Sequence, residues 1–191
     1  AFELSPSSER AIYLSLAYFQ MNDIETGLRQ LSAWLQRHPD DLEVQYHFAN
    51  TLLLRGKREE AEAAFRRVVE IDPDHVVGLN NLAWLLRTSS AKEAVRFAEH
   101  AYQVSPNLLV VLDTLGMLTA DDAQYDRALA LLRKAVDLQP ENLQIRYHLG
   151  KVLLDSGDVH KGKRILSQLL DRPDLSPDLR ATIESMLSGL K

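Results

Sequence analysis

The feature that most constrains this 191-residue chain is a proline that returns at nearly constant intervals. The prolines close similar segments and stand 34, 33, 34 and 33 residues apart, at Pro39, Pro73, Pro106, Pro140 and Pro173. Self-similarity at a fixed period of roughly 20 to 50 residues is the sequence signature of an array of repeated units. The spacing therefore predicts five structural repeats.

The second unit shows what each repeat contains. From Leu42 to about Leu54, apolar residues recur near the roughly 3.6-residue period of an α-helix, and Gly56 then favours a left-handed C-terminal cap. A second helical pattern starts at about Glu59 and stops before Pro73, because proline disfavours a helical residue in front of it. Each pattern has one apolar face and is too short to be stable alone. We therefore expect two helices that pack on each other and on neighbouring repeats.

Each unit also has a small residue at the two positions where its paired helices would approach most closely. In the first helices these residues are Ser15, Ala49, Ala83, Gly116 and Gly150. In the second helices they are Gly27, Ala61, Ala94, Ala128 and Gly162. A larger side chain at such a position would overpack the helix crossing.

These motifs resemble the tetratricopeptide repeat, in which a W-x2-L-G-x2-Y block, an A-x3-F block and a proline recur about every 34 residues. The second block stands here, for example, as Ala61-x3-Phe65. The resemblance implies an all-α solenoid: a right-handed superhelix of five helix-turn-helix repeats plus a C-terminal capping helix, in a single array. Another kind of helical hairpin array is the alternative. We expect the repeats at about 8–41, 42–75, 76–108, 109–142 and 143–174, and the capping helix at about 177–190.

The two ends of the predicted array differ. The first helical pattern, Ser8–Met21, is apolar almost all round, which is typical of a helix that is buried all round. We therefore expect it to be covered either by a preceding repeat or by a second chain, so self-association through this helix is one alternative. Near the other end, Ser176 and Pro177 begin a helix with one apolar and one polar face, as a capping helix and the end of the array would have.

Composition excludes several classes of partner. The chain has 27 acidic and 22 basic residues, and this acidic balance disfavours nucleic acid as a partner. It has no cysteine, hence no disulfide or thiol chemistry, which is compatible with either cytoplasm or periplasm. No apolar run reaches the length of a membrane span, so we expect no direct membrane insertion of this segment.

A search for catalytic motifs gives none. The sequence has no glycine-rich phosphate loop, no nucleophile elbow and no HExxH zinc motif. The six histidines lack the spacing of metal ligands, and a packing role is favoured for His47 and His148. A glycosidase would need two carboxylates in one cleft, whereas Asp113 stands almost alone. We therefore predict no catalytic residue, no metal and no cofactor, and not an enzyme.

The remaining feature that can carry a function is the surface of the predicted first helices. In the repeat family that the chain resembles, the first helices line a concave groove that binds a peptide or a partner protein. The residues that the resemblance places there are Tyr46, Asn50, Asn80, Trp84, Arg87, Asp113, Met117, Tyr147 and Lys151. Asparagine can bind a peptide backbone, and aromatic side chains supply interface energy at low entropic cost. The alternative for Trp84 and Met117 is that they fill space between adjacent first helices.

One subtype of the family binds the C-terminal carboxylates of chaperones with a set of lysines and asparagines. Asn50, Asn80 and Lys151 are similar to parts of that set. The first lysine of the set has no counterpart, because Ile12 and Tyr46 occupy the equivalent positions. The carboxylate-binding function is therefore not expected here.

Three strings, at residues 79–86, 111–118 and 145–158, resemble a narrower group. LNNLAWLL, VLDTLGML and IRYHLGKVLLDSGD look like the C-terminal repeats of bacterial tetratricopeptide lipoproteins that accompany the PEP-CTERM/exosortase and exopolysaccharide-export systems. The resemblance implies a periplasmic, membrane-tethered scaffold. Direct binding of a polysaccharide is the alternative function, and it would require a continuous row of aromatic residues along the groove.

Overall fold

The computed structural model describes residues 7–190, which form eleven α-helices and, within that range, no β-strand. The helices are α1 (Ser8–Gln20), α2 (Ile24–Leu35), α3 (Leu42–Leu54), α4 (Arg58–Ile71), α5 (Val76–Leu86), α6 (Ala91–Val104), α7 (Leu109–Asp121), α8 (Tyr125–Leu138), α9 (Leu143–Asp155), α10 (Val159–Leu170) and α11 (Pro177–Ser188). The all-α repeat fold expected from the sequence is confirmed.

Odd-numbered helices α1 to α9, hereafter the first helices, alternate with even-numbered second helices. Within pairs, α1 packs on α2, α3 on α4, α7 on α8 and α9 on α10. Each second helix then packs on the next first helix, as α2 does on α3, α4 on α5, α6 on α7 and α8 on α9. The chain divides between Ser89 and Ser90 into two compact units, α1–α5 and α6–α11. That all five pairs form one continuous array stays a prediction.

The small residues lie at the helix crossings, as their spacing predicts. All ten are buried. At the α9–α10 crossing, a Cβ atom placed on Gly150 would lie 2.7 Å from Cδ2 of Leu166. Because real Cβ atoms do not approach other atoms so closely, glycine sets the separation of these two helices.

The turns inside the pairs use a left-handed residue in four cases. Gly56 has φ +71° and Gly157 has φ +90°, as a glycine C-terminal cap requires. Asn22 and Ala123 adopt the same conformation with φ of 60° and 56°, although neither is glycine. The turn after α5, residues 87–90, is one residue longer than the three-residue turns of the other pairs and has no left-handed residue.

The last helix closes the second unit. The Ser176 hydroxyl accepts a hydrogen bond from the Leu179 N–H, which caps α11, and Pro177 stands in the first turn. Ile183 is fully buried against the core cluster that α10 contributes, together with Leu166 and Leu169. This is the capping helix that the amphipathic pattern after Pro173 predicts.

Candidate functional site

Trp84 is the most accessible aromatic residue among the predicted groove positions. It lies on the first helix α5 with 40% of its surface exposed. The Arg87 guanidinium stands 5.2 Å from the ring centroid, a cation–π distance. Trp34, in contrast, is buried, and its Nε1 donates a hydrogen bond of 2.7 Å to Asp41. The Trp84 ring is thus partly open to solvent instead of filling space.

Asn80 lies one helical turn before Trp84 and is 8% exposed. Its Oδ1 atom is the only buried side-chain nitrogen or oxygen in residues 7–190 without a hydrogen-bond partner. A buried acceptor left unsatisfied costs about 1–3 kcal/mol. Because this oxygen is closed to solvent, a donor from a ligand reaches it only if the Asn80 side chain turns outward.

Tyr46 and Asn50 occupy one face of α3 at a spacing of one turn, and both are half-buried. The Tyr46 ring packs edge-on against Phe65 at 6.4 Å and beside the His75 ring at 5.1 Å. These contacts fix the tyrosine within its own unit, so it offers a ligand only part of its surface.

Two exposed valines on the first helices were not among the residues predicted from the sequence. Val77 stands seven residues before Trp84, two turns away on the same face of α5. Val110 occupies the matching repeat position at the start of α7 in the other unit, and it is also exposed. The 33-residue spacing between them is the signal that would have identified both.

In the second unit, Asp113 on α7 pairs with a histidine, a contact that the sequence did not indicate. Its Oδ1 lies 2.6 Å from Nδ1 of His148 on α9. The Gln144 amide nitrogen lies 2.9 Å from Nε2 of the same ring. Because an amide N–H₂ only donates, this geometry assigns the ring proton to Nδ1, which donates to Asp113. The carboxylate therefore links two neighbouring first helices.

The three other candidates in the second unit differ in accessibility. Met117 is buried in the core cluster with Leu132 and Leu149, so it fills space, the alternative noted above. The Tyr147 hydroxyl donates to Sδ of Met186 at 3.7 Å. Lys151 forms an ion pair with Asp155, four residues along the helix. Tyr147 and Lys151 are half-buried and present part of their surface to solvent.

His47 occupies in α3 the repeat position that His148 occupies in α9, but its surroundings differ. Its Nε2 lies 3.5 Å from Oγ of Ser15, whose hydroxyl donates to the Ile12 carbonyl oxygen. Burial lowers the pKa of His47, and the nearby Glu43 carboxylate opposes this only in part. Burial thus favours the neutral ring, in keeping with the packing role predicted for it.

Two further properties concern residues 7–190. In that range no three His, Asp or Glu side chains are grouped so as to hold a metal ion. No helix there has both the length and the apolar character to cross a bilayer.

Comparison with known proteins identifies the repeat. A family model described as the tetratricopeptide repeat matches residues 18–85 and 120–183, which is more than half of the chain. A TPR repeat-containing protein of Pseudomonas aeruginosa is 27% identical over 153 residues, which are 75% of this chain and 26% of that protein. The cellulose synthase operon protein C of Pseudomonas fluorescens is 28% identical over 132 residues, 63% of this chain and 10% of that protein. The chain thus spans about a quarter of the length of the first relatives it matches.

A solved structure shows the likeness of fold. YrrB, described as a TPR protein with an unusual peptide-binding site, superposes with a TM-score of 0.72 at 17% sequence identity. The match covers 94% of this chain and 92% of that one. With its helix pairs, small residues at the crossings and matching family model, the chain belongs to the tetratricopeptide repeat family.

Proposed function

We propose that the chain is a non-enzymatic scaffold that binds a peptide or partner protein on the exposed face of its first helices. Tetratricopeptide repeat proteins are generally non-catalytic scaffolds, and the structurally similar YrrB has a peptide-binding site by its description. The observation that carries the proposal is the half-open Trp84 ring, one turn from the unsatisfied Asn80 oxygen.

The chemistry of α5 suits a peptide. Tryptophan and arginine are enriched among the residues that dominate binding energy at interfaces, and here they are stacked on each other. Val77 extends the apolar surface along the same face. A peptide side chain can pack on Trp84 and Val77, and a peptide N–H can donate to Oδ1 of Asn80 once that side chain turns from its buried position. Asn50 and Tyr46, on α3 of the same unit, add partly exposed polar surface.

Binding of a glycan is the second candidate, favoured by the similarity to the cellulose synthase operon protein C. The same similarity, with the strings quoted above, is the support for a role in a bacterial envelope or exopolysaccharide-export assembly. A glycan needs successive aromatic rings to stack on. Tyr46 packs against His75, and Tyr147 contacts His148 and Met186, so neither ring is as open as Trp84. The side chains therefore favour a peptide over a sugar chain.

A peptide-array screen followed by titration tests the proposal. The probes are the array peptide that binds best and cellohexaose, each titrated by isothermal titration calorimetry, which does not depend on Trp84 as a reporter. Trp84→Ala should weaken peptide binding about thirtyfold or more, since truncating a central anchor costs about 2 kcal/mol or more. Asn80→Ala should also weaken binding without lowering stability, because the lost oxygen has no partner in the free protein.

Two control variants define the surface. Leu54→Ala removes another exposed apolar side chain, 76% exposed at the end of α3, and should leave affinity unchanged. Lys134→Ala lies on the second helix α8, where its Nζ donates to the Pro106 carbonyl oxygen, and should also have no effect. If Lys134→Ala blocked binding and Trp84→Ala did not, the site would lie on the second helices. If Trp84→Ala weakened the binding of cellohexaose and no peptide bound to the unmodified chain, the ligand would be a glycan.

A further inference from the structure

Helix α1 exposes an apolar face that the later first helices bury. Leu14 is 43% exposed, whereas Leu82 and Leu115, at the same repeat position, are fully buried. Ala17 is likewise exposed, and its counterpart Leu118 is buried. In the later pairs the first helix packs on the preceding second helix, as α3 does on α2 and α7 on α6. The face on α1 therefore has the form of a helix-packing surface.

The exposed residues form a continuous stripe with a defined centre. Leu14, Ala17 and Met21 follow one another at three- and four-residue spacing, which places them on one side of the helix. Met21 is 75% exposed, and Tyr13, beside the stripe, is 68% exposed. Because alanine is small, a second helix can approach most closely at Ala17.

The two ends of the stripe carry opposite charges. Arg10 is exposed near the N-terminal end of α1. Asp23 is exposed just beyond its C-terminal end, where its carboxylate accepts the Thr26 N–H at the start of α2. An antiparallel copy of the same helix would bring a basic end beside an acidic end twice.

We propose that this face binds a second copy of the chain, with the two α1 helices antiparallel about a two-fold axis at Ala17. Helix geometry then places Leu14 opposite Met21 of the second copy and brings Arg10 towards Asp23 of the second copy. In such an isologous contact, every interaction occurs twice and the assembly closes as a dimer. The proposal concerns a surface separate from the Trp84 site and does not depend on the proposed function.

Helix α11 is a poor partner for the stripe. It buries Ile183 and turns exposed Asp178, Glu184 and Ser185 to the solvent. That polar face does not complement an apolar surface, so a contact of α11 of one copy with α1 of another is disfavoured. The stripe has few large side chains, well below the roughly 800 Å² per partner of a standard interface, so the dimer is weak and concentration-dependent.

Because the chain has no cysteine, a single engineered thiol reports the geometry. In an Ala17→Cys variant the two thiols meet at the axis, and mild oxidation should convert most of the protein to a disulfide-linked dimer. Leu54→Cys, an exposed position on α3, is the matched control and should remain mostly monomeric under the same conditions.

Sedimentation equilibrium tests the association itself. The unmodified chain should show a concentration-dependent monomer–dimer equilibrium. Leu14→Ser with Met21→Ser, both at exposed positions, should abolish it, and Arg10→Glu should weaken it about tenfold. A strict monomer up to about 1 mM, or cross-linking of Ala17→Cys no faster than that of Leu54→Cys, overturns the proposal. The face would then belong to another helix, from a preceding repeat or a different protein.

Discussion

Replacing Gly162 by alanine tests how closely α9 and α10 approach. A Cβ atom at position 162 would lie 2.6 Å from Cδ2 of Leu154 and 3.0 Å from the carbonyl oxygen of Gly150. The leucine side chain can rotate away at modest cost. The Gly150 oxygen belongs to the backbone of α9, so it can move only if the helix shifts by a few tenths of an ångström.

Two opposing effects set the magnitude of the Gly162→Ala change. Alanine is favoured over glycine in a helix interior by about 1 kcal/mol. Overpacking a close contact costs about 1–3 kcal/mol. We therefore expect Gly162→Ala to lower the free energy of unfolding by about 1 kcal/mol. Gly189→Ala is the control. A Cβ atom at position 189 would lie no nearer than 3.7 Å to other atoms, so this substitution should not destabilise the fold.

Urea unfolding followed by far-UV circular dichroism measures both variants. Because repeat proteins can unfold in parts, the comparison requires equal slopes of free energy against urea concentration. If Gly162→Ala raised the free energy of unfolding by the full helix-propensity difference of about 1 kcal/mol, the close crossing of α9 and α10 would be refuted.

Three further predictions concern electrostatics and a turn. Burial disfavours the Asp41 carboxylate, but hydrogen bonds from Ser8, from Trp34 and from a backbone N–H outweigh it and lower the pKa. The contribution of Asp41 to stability is therefore present above the unfolded-state pKa near 3.8 and lost as the pH falls through the folded value. Asp41→Asn should destabilise by about 1 kcal/mol at pH 7, allowing for partial exposure, and by progressively less as the pH falls below 3.8 in urea titrations. The lowered pKa of His47 likewise gives stability that is complete above pH 6.5 and falls below it, so His47→Gln should flatten that part of the profile. Ala123→Gly should raise the urea midpoint and increase the free energy of unfolding by up to about 1 kcal/mol, because the left-handed conformation costs alanine about 1–2 kcal/mol. An unchanged or lower midpoint would show that Ala123 is not strained.

The fold could be predicted because its determinants repeat. The prolines fix the period, and the buried small residues fix which faces of the paired helices meet. Glycine marks the left-handed turn at Gly56 and Gly157, where its freedom is needed. The turn at Ala123 could not be recognised in this way, since alanine disfavours the left-handed conformation. The packing of α7 on α8 imposes that conformation. The need for a left-handed residue there follows only from the repeat register.

The accessibility of the groove residues could not be predicted from repeat position alone. Trp84 and Met117 occupy the same position, 33 residues apart, yet the first is 40% exposed and the second is buried. A flexible thioether fits an irregular gap between Leu132 and Leu149, which a rigid indole ring would overfill. The period assigns both residues to one face, and side-chain shape then decides how deep each lies.

The contact between Asp113 and His148 has a consequence for where binding energy concentrates. It joins different repeats and different repeat positions, so no period in the sequence indicates it. The imidazole engages Oδ1 of Asp113 and fixes the direction of the carboxylate, so mainly Oδ2 remains to accept from a ligand. Trp84 is open to solvent and held by no such bond through its ring, and Oδ1 of Asn80 has no hydrogen bond to lose. Since a few anchors carry most of the affinity of an interface, we expect the first unit to contribute more binding energy than the second.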